Sequence, residues 1–234
     1  MGRLGRSGLA SLAPAHYIRA MTADPLALLQ RIRVVPLIVI DDAKNAASLA
    51  MALSMGGLPC AEIAFRTPAA GEALRRLRSA NADILAGAGT VLTPGQAAEA
   101  GDAGAQFIVS PGFNPRVVDY CQDHDIPIYP GVCTPTEVEA ALEKGLTTLK
   151  FFPAEAMGGV ETLKAISAPY AAARFIPTGG LKRASLPSYL ALKSVVACGG
   201  SWMAPQDWIA AGEFDRIRGE VERTVSAVRQ LTER

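Results

Sequence analysis

Histidine is nearly absent from this sequence, and its few cysteines are scattered. The 234 residues include two histidines, at positions 16 and 124, and four cysteines. No CxxC pair or Cys/His cluster joins the cysteines, which are Cys60, Cys121, Cys133 and Cys198. Zinc sites and disulfide frameworks depend on such groupings, so we expect reduced thiols, no metal site and a cytoplasmic location. Two isolated histidines also argue against a Ser-His-Asp triad.

A strong charge of either sign is missing as well. Lysine and arginine total 23 and aspartate and glutamate 22, which gives a net charge of +1, and the densest basic run is RRLR at 75–78. Nucleic-acid binding needs many phosphate contacts, so we expect no nucleic-acid partner. No apolar run reaches the roughly 18 residues of a membrane span, so we expect no membrane partner either. Half of the residues are hydrophobic and 19% are charged, a composition typical of a large globular core.

Acidic residues are missing from the first 20 positions, which contain Arg3, Arg6 and Arg19. That composition is typical of a transit peptide. The alternative is that residues 1–20 are a disordered extension or a misassigned start of translation, because Met21 directly precedes the first segment with helical spacing. We adopt this alternative and expect residues 21–234 to form a single domain.

Short apolar runs alternate with helical patterns along the rest of the chain. Eight runs predict β-strands, at 34–40, 60–66, 83–89, 106–110, 126–131, 147–152, 173–178 and 194–200. Helical spacing follows at 43–55, 68–79, 94–103, 114–123, 134–144, 158–167, 184–191 and 205–231. Each link is long enough for a crossover helix, so the pattern predicts a parallel (β/α)8 TIM barrel. A doubly wound open sheet is the rival, but it often carries GxGxxG after its first strand, where this chain has VIDDAKN.

Threonine or asparagine precedes proline at the start of several predicted helices. These pairs place a capping side chain before a proline at the first helical position, and they are Thr67-Pro68, Thr93-Pro94, Asn114-Pro115 and Thr134-Pro135. Asp41 or Asp42 can cap the helix that follows the first strand.

Charged side chains occur inside two of the predicted strands. A TIM barrel carries its active site at the carboxyl ends of its strands. Because side chains alternate along a strand, Glu62 and Arg66 share one face, as do Lys150 and Phe152. The outer face meets apolar helices, so we expect Glu62, Arg66 and Lys150 to converge on the barrel interior.

Lys150 is the only one of six lysines that lies within an apolar strand. Burial of an ammonium group costs several kcal/mol unless the group is paired or neutralised. One alternative is a buried ion pair with Glu62. In the other, burial and the nearby Arg66 favour the neutral amine, which attacks a carbonyl to form a Schiff base.

The neighbouring polar residues fit the second alternative. Glu62 can act as general acid/base, although a salt bridge to Arg66 would also explain it. Arg66 can bind a substrate carboxylate through two hydrogen bonds, and Thr90 can add a hydroxyl to the same anion or merely cap its strand.

Two glycine pairs follow the seventh and eighth predicted strands. They occur in Thr178-Gly179-Gly180 and in Gly199-Gly200-Ser201. The loops after these two strands commonly bind phosphate through backbone N–H groups in this fold, although tight turns also use such glycines. We therefore expect a second anion site here.

Seven stretches around these residues closely resemble the bacterial 2-keto-3-deoxy-6-phosphogluconate (KDPG) and 4-hydroxy-2-oxoglutarate (KHG) aldolase family. They run in order from residue 34 to residue 202 and read VVPLIVI, EIAFRT, GAGTVL, VSPG, KFFPAE, PTGG and GGSW. The chain departs from the pattern in its 20-residue extension and at Met157, where a more polar residue is expected. The roles of Met157 and of Glu155 stay open.

The resemblance implies a class I aldolase on a homotrimeric (β/α)8 barrel, with no metal or other cofactor. By this resemblance Lys150 is the Schiff-base lysine and Glu62 the general acid/base. The pyruvate pocket would be lined by Arg66, Thr90, Pro111 and Phe152. The far end of the substrate, with its phosphate, would be held by Thr178, Gly179, Gly180 and Ser201.

The implied reaction is reversible cleavage of KDPG to pyruvate and glyceraldehyde 3-phosphate, a step of the Entner-Doudoroff pathway, with KHG as a second substrate. The galactonate branch shares the lysine and the glutamate, and Thr178 favours the gluconate branch. A phosphosugar isomerase or epimerase would give Lys150 no role. A metal-dependent pyruvate aldolase would need a carboxylate/His ligand set, and a non-catalytic phosphosugar-binding barrel would tolerate loss of Lys150.

Overall fold

The structure is a computed structural model that describes residues 24–232. The expected extension, residues 1–20, lies outside this range. The strands within the range are β1 Val34–Ile38, β2 Cys60–Ala64, β3 Leu85–Gly89, β4 Phe107–Val109, β5 Ile128–Tyr129, β6 Gly131–Val132, β7 Thr148–Phe151, β8 Arg174–Pro177 and β9 Cys198–Gly200. All of their pairings are parallel.

Helices alternate with these strands, as the sequence predicts. They are α1 Pro25–Ile32, α2 Ala46–Met55, α3 Ala70–Ala80, α4 Pro94–Asp102, α5 Pro115–Asp123, α6 Pro135–Glu143, α7 Gly159–Ser167, α8 Leu186–Leu190, α9 Gln206–Ala210 and α10 Phe214–Thr232. Short 3-10 turns lie at Ala43–Asn45, Glu155–Met157 and Arg183–Ser185. No helix within residues 24–232 is both long and apolar enough to cross a membrane.

The strands close into a ring. Six of them follow the order β5-β4-β3-β2-β1-β9, and three follow the order β6-β7-β8. Isolated parallel bridges from Phe175 to Val195 and from Thr178 to Gly199 join β8 to the chain that forms β9. The predicted (β/α)8 barrel is therefore confirmed, with β5 and β6 sharing one position in the ring.

Pro130 divides the predicted strand at 126–131 into β5 and β6. Proline has no N–H to donate to a neighbouring strand, so it interrupts the hydrogen-bond ladder. Its carbonyl still accepts a hydrogen bond from Lys150 N at 2.9 Å. A second break falls in the predicted helix 205–231, where Gly212, at φ +72°, separates α9 from α10.

Helix capping follows the predicted residues at most positions. Thr93, Asn114 and Asp42 each accept a backbone hydrogen bond in the first turn, and Thr134 forms a capping box with Glu137. The prediction for Thr67 is wrong. Its hydroxyl donates instead to the carbonyl of Ile40 at 2.6 Å, and α3 begins three residues later.

Two apolar layers hold the barrel. The inner layer gathers side chains from the first residues of the strands, such as Cys60, Leu85 and Phe107, around Leu29 of α1. Helix α1 therefore plugs the amino-terminal end of the barrel. The larger outer layer packs the strands against the surrounding helices. Every residue of β2 and β3 is buried, because parallel barrel strands are covered on both faces.

Candidate active site

Lys150 of β7 and Glu62 of β2 meet inside the barrel. Lys150 Nζ lies 3.4 Å from Glu62 Oε1, and each residue is only 3% exposed. They are the only charged residues of the range 24–232 that are buried. The alternation of side chains along a strand, with apolar helices expected on the outer face, predicted that both side chains point inward. The same prediction for Arg66 is wrong, because β2 ends at Ala64 and Arg66 is exposed. The ion pair that the sequence offered as an alternative is thus present, and it places a carboxylate beside the amine.

A glycine on the neighbouring strand makes room for the Glu62 carboxylate. Gly89 of β3 lies beside β2, and a Cβ atom added there would collide with Glu62 Oε1. Gly87, two residues earlier, leaves space for the ring of Phe107 in the same way. Neither role was predicted from the sequence. The signal was available, because two glycines with period-two spacing inside a strand indicate a close approach.

Phe152 connects the lysine to the first glycine pair. Its ring centroid lies 5.1 Å from Lys150 Nζ. A Cβ atom added at Gly179 would lie 3.1 Å from the same ring, at its Cδ2 atom. The aromatic face can stabilise a cation on the lysine nitrogen, and the ring also forms part of the wall between the two predicted sites.

Arg66 stands at the open, carboxyl end of β2. Its Nε donates to Thr90 Oγ1 at 3.2 Å, and no other partner of the guanidinium is found within the described range. Thr90 follows β3 in a left-handed conformation at φ +57°, which turns its hydroxyl toward Arg66. Glu62 pairs with Lys150 rather than with Arg66, so the alternative of a Glu62–Arg66 salt bridge is wrong.

Pro111 packs against the strand opposite Lys150. A Cβ atom added at Gly131 would collide with the carbonyl of Pro111, and Gly131 is the register partner of Lys150. The preceding residue, Ser110, is 1% exposed and donates to the carbonyl of Gly112 at 2.8 Å. The predicted pocket residue Pro111 therefore lies against β6, the strand that pairs with β7 next to Lys150.

The predicted anion site lies at the rim of the barrel. Gly179 and Gly180 follow β8 with φ of +104° and +82°, a backbone conformation that favours glycine. Thr178 is 2% exposed, and its hydroxyl donates to the carbonyl of Ile176 at 3.3 Å. Ser201, on the other glycine segment, is exposed.

Close packing accounts for the second glycine pair. A Cβ atom at Gly199 would collide with Thr178 Oγ1, and one at Gly200 would collide with the ring of Trp202. That ring is fixed by a hydrogen bond of 3.3 Å from its Nε1 to Thr224 Oγ1. The bridge from Thr178 to Gly199 also brings the two glycine segments together.

The other buried polar side chains within residues 24–232 are uncharged. A small internal cavity lies below Lys150 and Glu62, and Tyr129 and Thr178 also line it. Burial raises the pKa of the Tyr129 hydroxyl, which finds no hydrogen-bond partner within residues 24–232. Burial, and then the charge of Glu62, raise the pKa of the Cys60 thiol. The amine and the carboxylate therefore face each other in otherwise neutral surroundings.

Metal ligands do not cluster in the part of the chain that the structure describes. No three His, Cys, Asp or Glu side chains there lie close enough to hold an ion.

Known proteins with similar sequences match most of this chain. The profile of the KDPG and KHG aldolase family matches residues 26–219. The 2-dehydro-3-deoxy-phosphogluconate aldolase of Treponema pallidum is 50% identical over 200 residues, which cover 86% of this chain and 95% of that protein. The KHG/KDPG aldolase of Escherichia coli K12 is 45% identical over 184 residues, 79% of this chain and 86% of that protein.

A solved structure is similar as well. KDPG aldolase from Legionella pneumophila, crystallised with pyruvate captured as a covalent carbinolamine, superimposes with a TM-score of 0.83. It is 39% identical, and the match covers 86% of this chain and 98% of that one. Sequence and fold agree over nearly the same span, and this chain therefore belongs to the KDPG and KHG aldolase family.

Proposed function

We propose that this protein is a class I aldolase that reversibly cleaves KDPG to pyruvate and glyceraldehyde 3-phosphate, and KHG to pyruvate and glyoxylate. One observation carries the proposal. Lys150 and Glu62 are the only buried charged residues within residues 24–232, and they lie 3.4 Å apart. An amine and a carboxylate in a water-poor interior are the groups that Schiff-base aldol chemistry needs.

The reaction begins at Lys150. Lys150 passes its proton to Glu62, and the neutral amine adds to the C2 ketone of the substrate and gives a carbinolamine. Glu62 then returns the proton as the carbinolamine loses water and forms an iminium ion. The carbinolamine captured in the Legionella relative supports this route. The iminium nitrogen is positively charged, and the ring of Phe152 at 5.1 Å can stabilise it.

Glu62 then acts as the base. Through a water molecule it removes the proton of the C4 hydroxyl, and the C3–C4 bond breaks as its electron pair moves toward the iminium. The aldehyde leaves, and the enamine that remains takes a proton at C3. Hydrolysis of the resulting iminium releases pyruvate and restores the Lys150 amine.

Two groups of residues hold the substrate in this proposal. The pyruvate end, with its carboxylate, is bound by Arg66, Thr90, Pro111 and Phe152. The hydrogen bond of 3.2 Å between Arg66 and Thr90 supports their joint action on one anion. The phosphate end is bound at the rim by Thr178, Gly179, Gly180 and Ser201. Gly199 and Gly200 support this end of the site indirectly, because their close packing allows Thr178 and Trp202 to lie next to their strand.

The relatives favour the gluconate branch over the galactonate branch. Those at 50% and 45% identity are named for phosphogluconate or for KHG and KDPG. We further propose that the reaction is metal-independent, that residues 21–234 form one domain, and that the protein is a homotrimer of the cytoplasm.

A coupled assay tests the proposed reaction. Pyruvate released from KDPG, from its galactonate epimer and from KHG is followed with lactate dehydrogenase and NADH, with and without EDTA. The highest kcat/KM is expected for KDPG, with no loss in EDTA. Absence of pyruvate from all three substrates would overturn the function, and loss of activity in EDTA would overturn its metal independence.

A further inference from the structure

Glu155 lies just beyond β7, beside the Gly179–Gly180 turn of the proposed phosphate site. Its carboxylate accepts a hydrogen bond of 2.8 Å from the hydroxyl of Tyr189 on α8. Tyr189 is only 1% exposed, and its burial and then this hydrogen bond raise the pKa of its hydroxyl. Tyr189 therefore stays a proton donor at neutral pH and holds the Glu155 side chain in one place.

The backbone of Ala154 and Glu155 runs against the first glycine segment. Ala154 N donates to the carbonyl of Thr178 at 2.8 Å, and Glu155 N donates to the carbonyl of Gly179 at 3.0 Å. A Cβ atom added at Gly180 would lie 2.7 Å from the Cβ of Glu155. Residue 155 thus supports the Gly179–Gly180 turn through its own backbone and Cβ.

A direct contact between Glu155 and the substrate is unfavourable on charge grounds. The proposed ligand of the Gly179–Gly180 turn is a phosphate, and a carboxylate would repel it. The hydrogen bond from Tyr189 instead ties the carboxylate to α8. Glu155 can therefore lie beside the proposed phosphate site because it holds the Gly179–Gly180 turn in place and does not bind the phosphate itself.

We infer that Glu155, anchored by Tyr189, is a positioning residue that fixes the Gly179–Gly180 turn for the phosphate-bearing end of the substrate. The inference rests on the proposed function. It predicts that loss of the anchor weakens the binding of phosphorylated substrate and leaves the chemistry at Lys150 unchanged, because preorganised backbone donors lose affinity when they become mobile.

Steady-state kinetics on two substrates test the inference. Tyr189→Phe removes one hydroxyl and keeps the buried ring, and Glu155→Ala removes the carboxylate. Each is expected to raise KM for KDPG about tenfold, because a turn that has lost this hydrogen bond must be ordered when the phosphate binds. kcat for KDPG and both constants for KHG, which lacks phosphate, are expected to stay within about twofold. Glu155→Gln keeps an acceptor oxygen and is expected to restore most of the affinity.

The chain offers a matched control. Tyr170 donates to Glu139 Oε1 over the same 2.8 Å, at an exposed site. Tyr170→Phe and Glu139→Ala are expected to leave both substrates unaffected. Equal effects of Tyr189→Phe on KDPG and KHG, or no effect on either, would overturn the inference while the aldolase function stands. A wild-type protein inactive on both substrates would overturn the function itself and the inference with it.

Discussion

The interior pair Lys150–Glu62 and the glycine rim, residues 178–180 and 199–201, use opposite means to form a site. In the interior two charged side chains on rigid strands face each other, each 3% exposed. At the rim the chain has little side chain to offer, and the Gly179–Gly180 turn, with positive φ, presents backbone groups instead. The interior is held by packing on all sides, whereas this turn is held by hydrogen bonds from the backbone of Ala154 and Glu155.

This difference separates chemistry from substrate choice. Every substrate of the proposed reaction has the same keto acid, so damage to the interior pair should affect all of them alike. Only phosphorylated substrates bring a phosphate to the rim, because the second carboxylate of KHG is attached to C4, close to the bond that breaks. Damage at the rim should therefore affect phosphorylated substrates selectively. The ratio of activity on KDPG to activity on KHG therefore reports which of the two regions has been changed.

The largest effect is expected from Lys150→Met. It removes the nucleophile, so kcat should fall by at least about 10⁴-fold on KDPG and KHG alike. Stability should fall by about 3–5 kcal/mol, because Glu62 loses its buried partner. Pyruvate release and urea denaturation measure the two quantities.

Lys144→Met is the control for that substitution. Lys144 forms an exposed ion pair with Asp119 at 2.6 Å, and such pairs contribute about 0–1 kcal/mol. Its activity and stability should both stay near those of the wild type. A Lys150→Met protein with normal kcat would contradict the role of Lys150 as the nucleophile.

A smaller loss is expected from Glu62→Gln. The amide keeps the shape of the carboxylate and cannot take a proton, so kcat should fall by about 10²–10⁴-fold on both substrates. Covalent capture of pyruvate should persist, because the Lys150 amine remains. Borohydride reduction followed by mass spectrometry checks this, with Glu72→Gln on the exposed face of α3 as the matched control. An unchanged kcat would remove Glu62 from the mechanism.

Gly180→Ala should weaken the binding of phosphorylated substrate at the rim. The added methyl would meet the Cβ of Glu155 at 2.7 Å, on a backbone at φ +82°, so the turn must shift. KM for KDPG should rise by about tenfold or more, with KHG little changed. Gly145→Ala has a similar φ of +76° with nothing within 4 Å of the added carbon. Gly145→Ala should lower stability by about 1–2 kcal/mol and leave the KM for KDPG unchanged. An equal rise in KM for KDPG and KHG in Gly180→Ala would contradict the proposal that the rim acts only on phosphorylated substrates.

The smallest effect is expected from Tyr129→Phe. The Tyr129 hydroxyl is buried and finds no partner among the described residues, so its removal should leave the free energy of unfolding unchanged or raise it by about 1 kcal/mol. Activity should be unchanged, which would show that Lys150 and Glu62 take part in catalysis and that the Tyr129 hydroxyl does not. Urea denaturation checks the stability. A loss above about 2 kcal/mol would show that this hydroxyl is hydrogen-bonded.

More of the interior than of the rim could be predicted from the sequence. Side-chain parity on a strand is a rigid rule, so Glu62 and Lys150 could be directed to one interior although 88 residues separate them. The eight-fold alternation of strands and helices predicted the barrel that contains them. The split at Pro130 was also visible in the residue type.

Contacts made by turns could not be predicted in the same way. The hydrogen bond from Arg66 to Thr90 depends on the positive φ of Thr90, which no periodic pattern encodes. Thr67 stands before a proline as a helix cap would, yet its hydroxyl is taken by the distant carbonyl of Ile40. Glu155 stayed unassigned because its partner, Tyr189, lies 34 residues away on a different helix.

Borohydride reduction in the presence of pyruvate tests the central claim most directly, since the chain has only six lysines to distinguish. Wild-type protein is treated with pyruvate and borohydride, digested, and mapped by mass spectrometry, with Lys150→Met treated in parallel. We expect a stable pyruvate adduct on Lys150 and none on the variant. An adduct on another lysine, or no adduct on active wild-type protein, would contradict it.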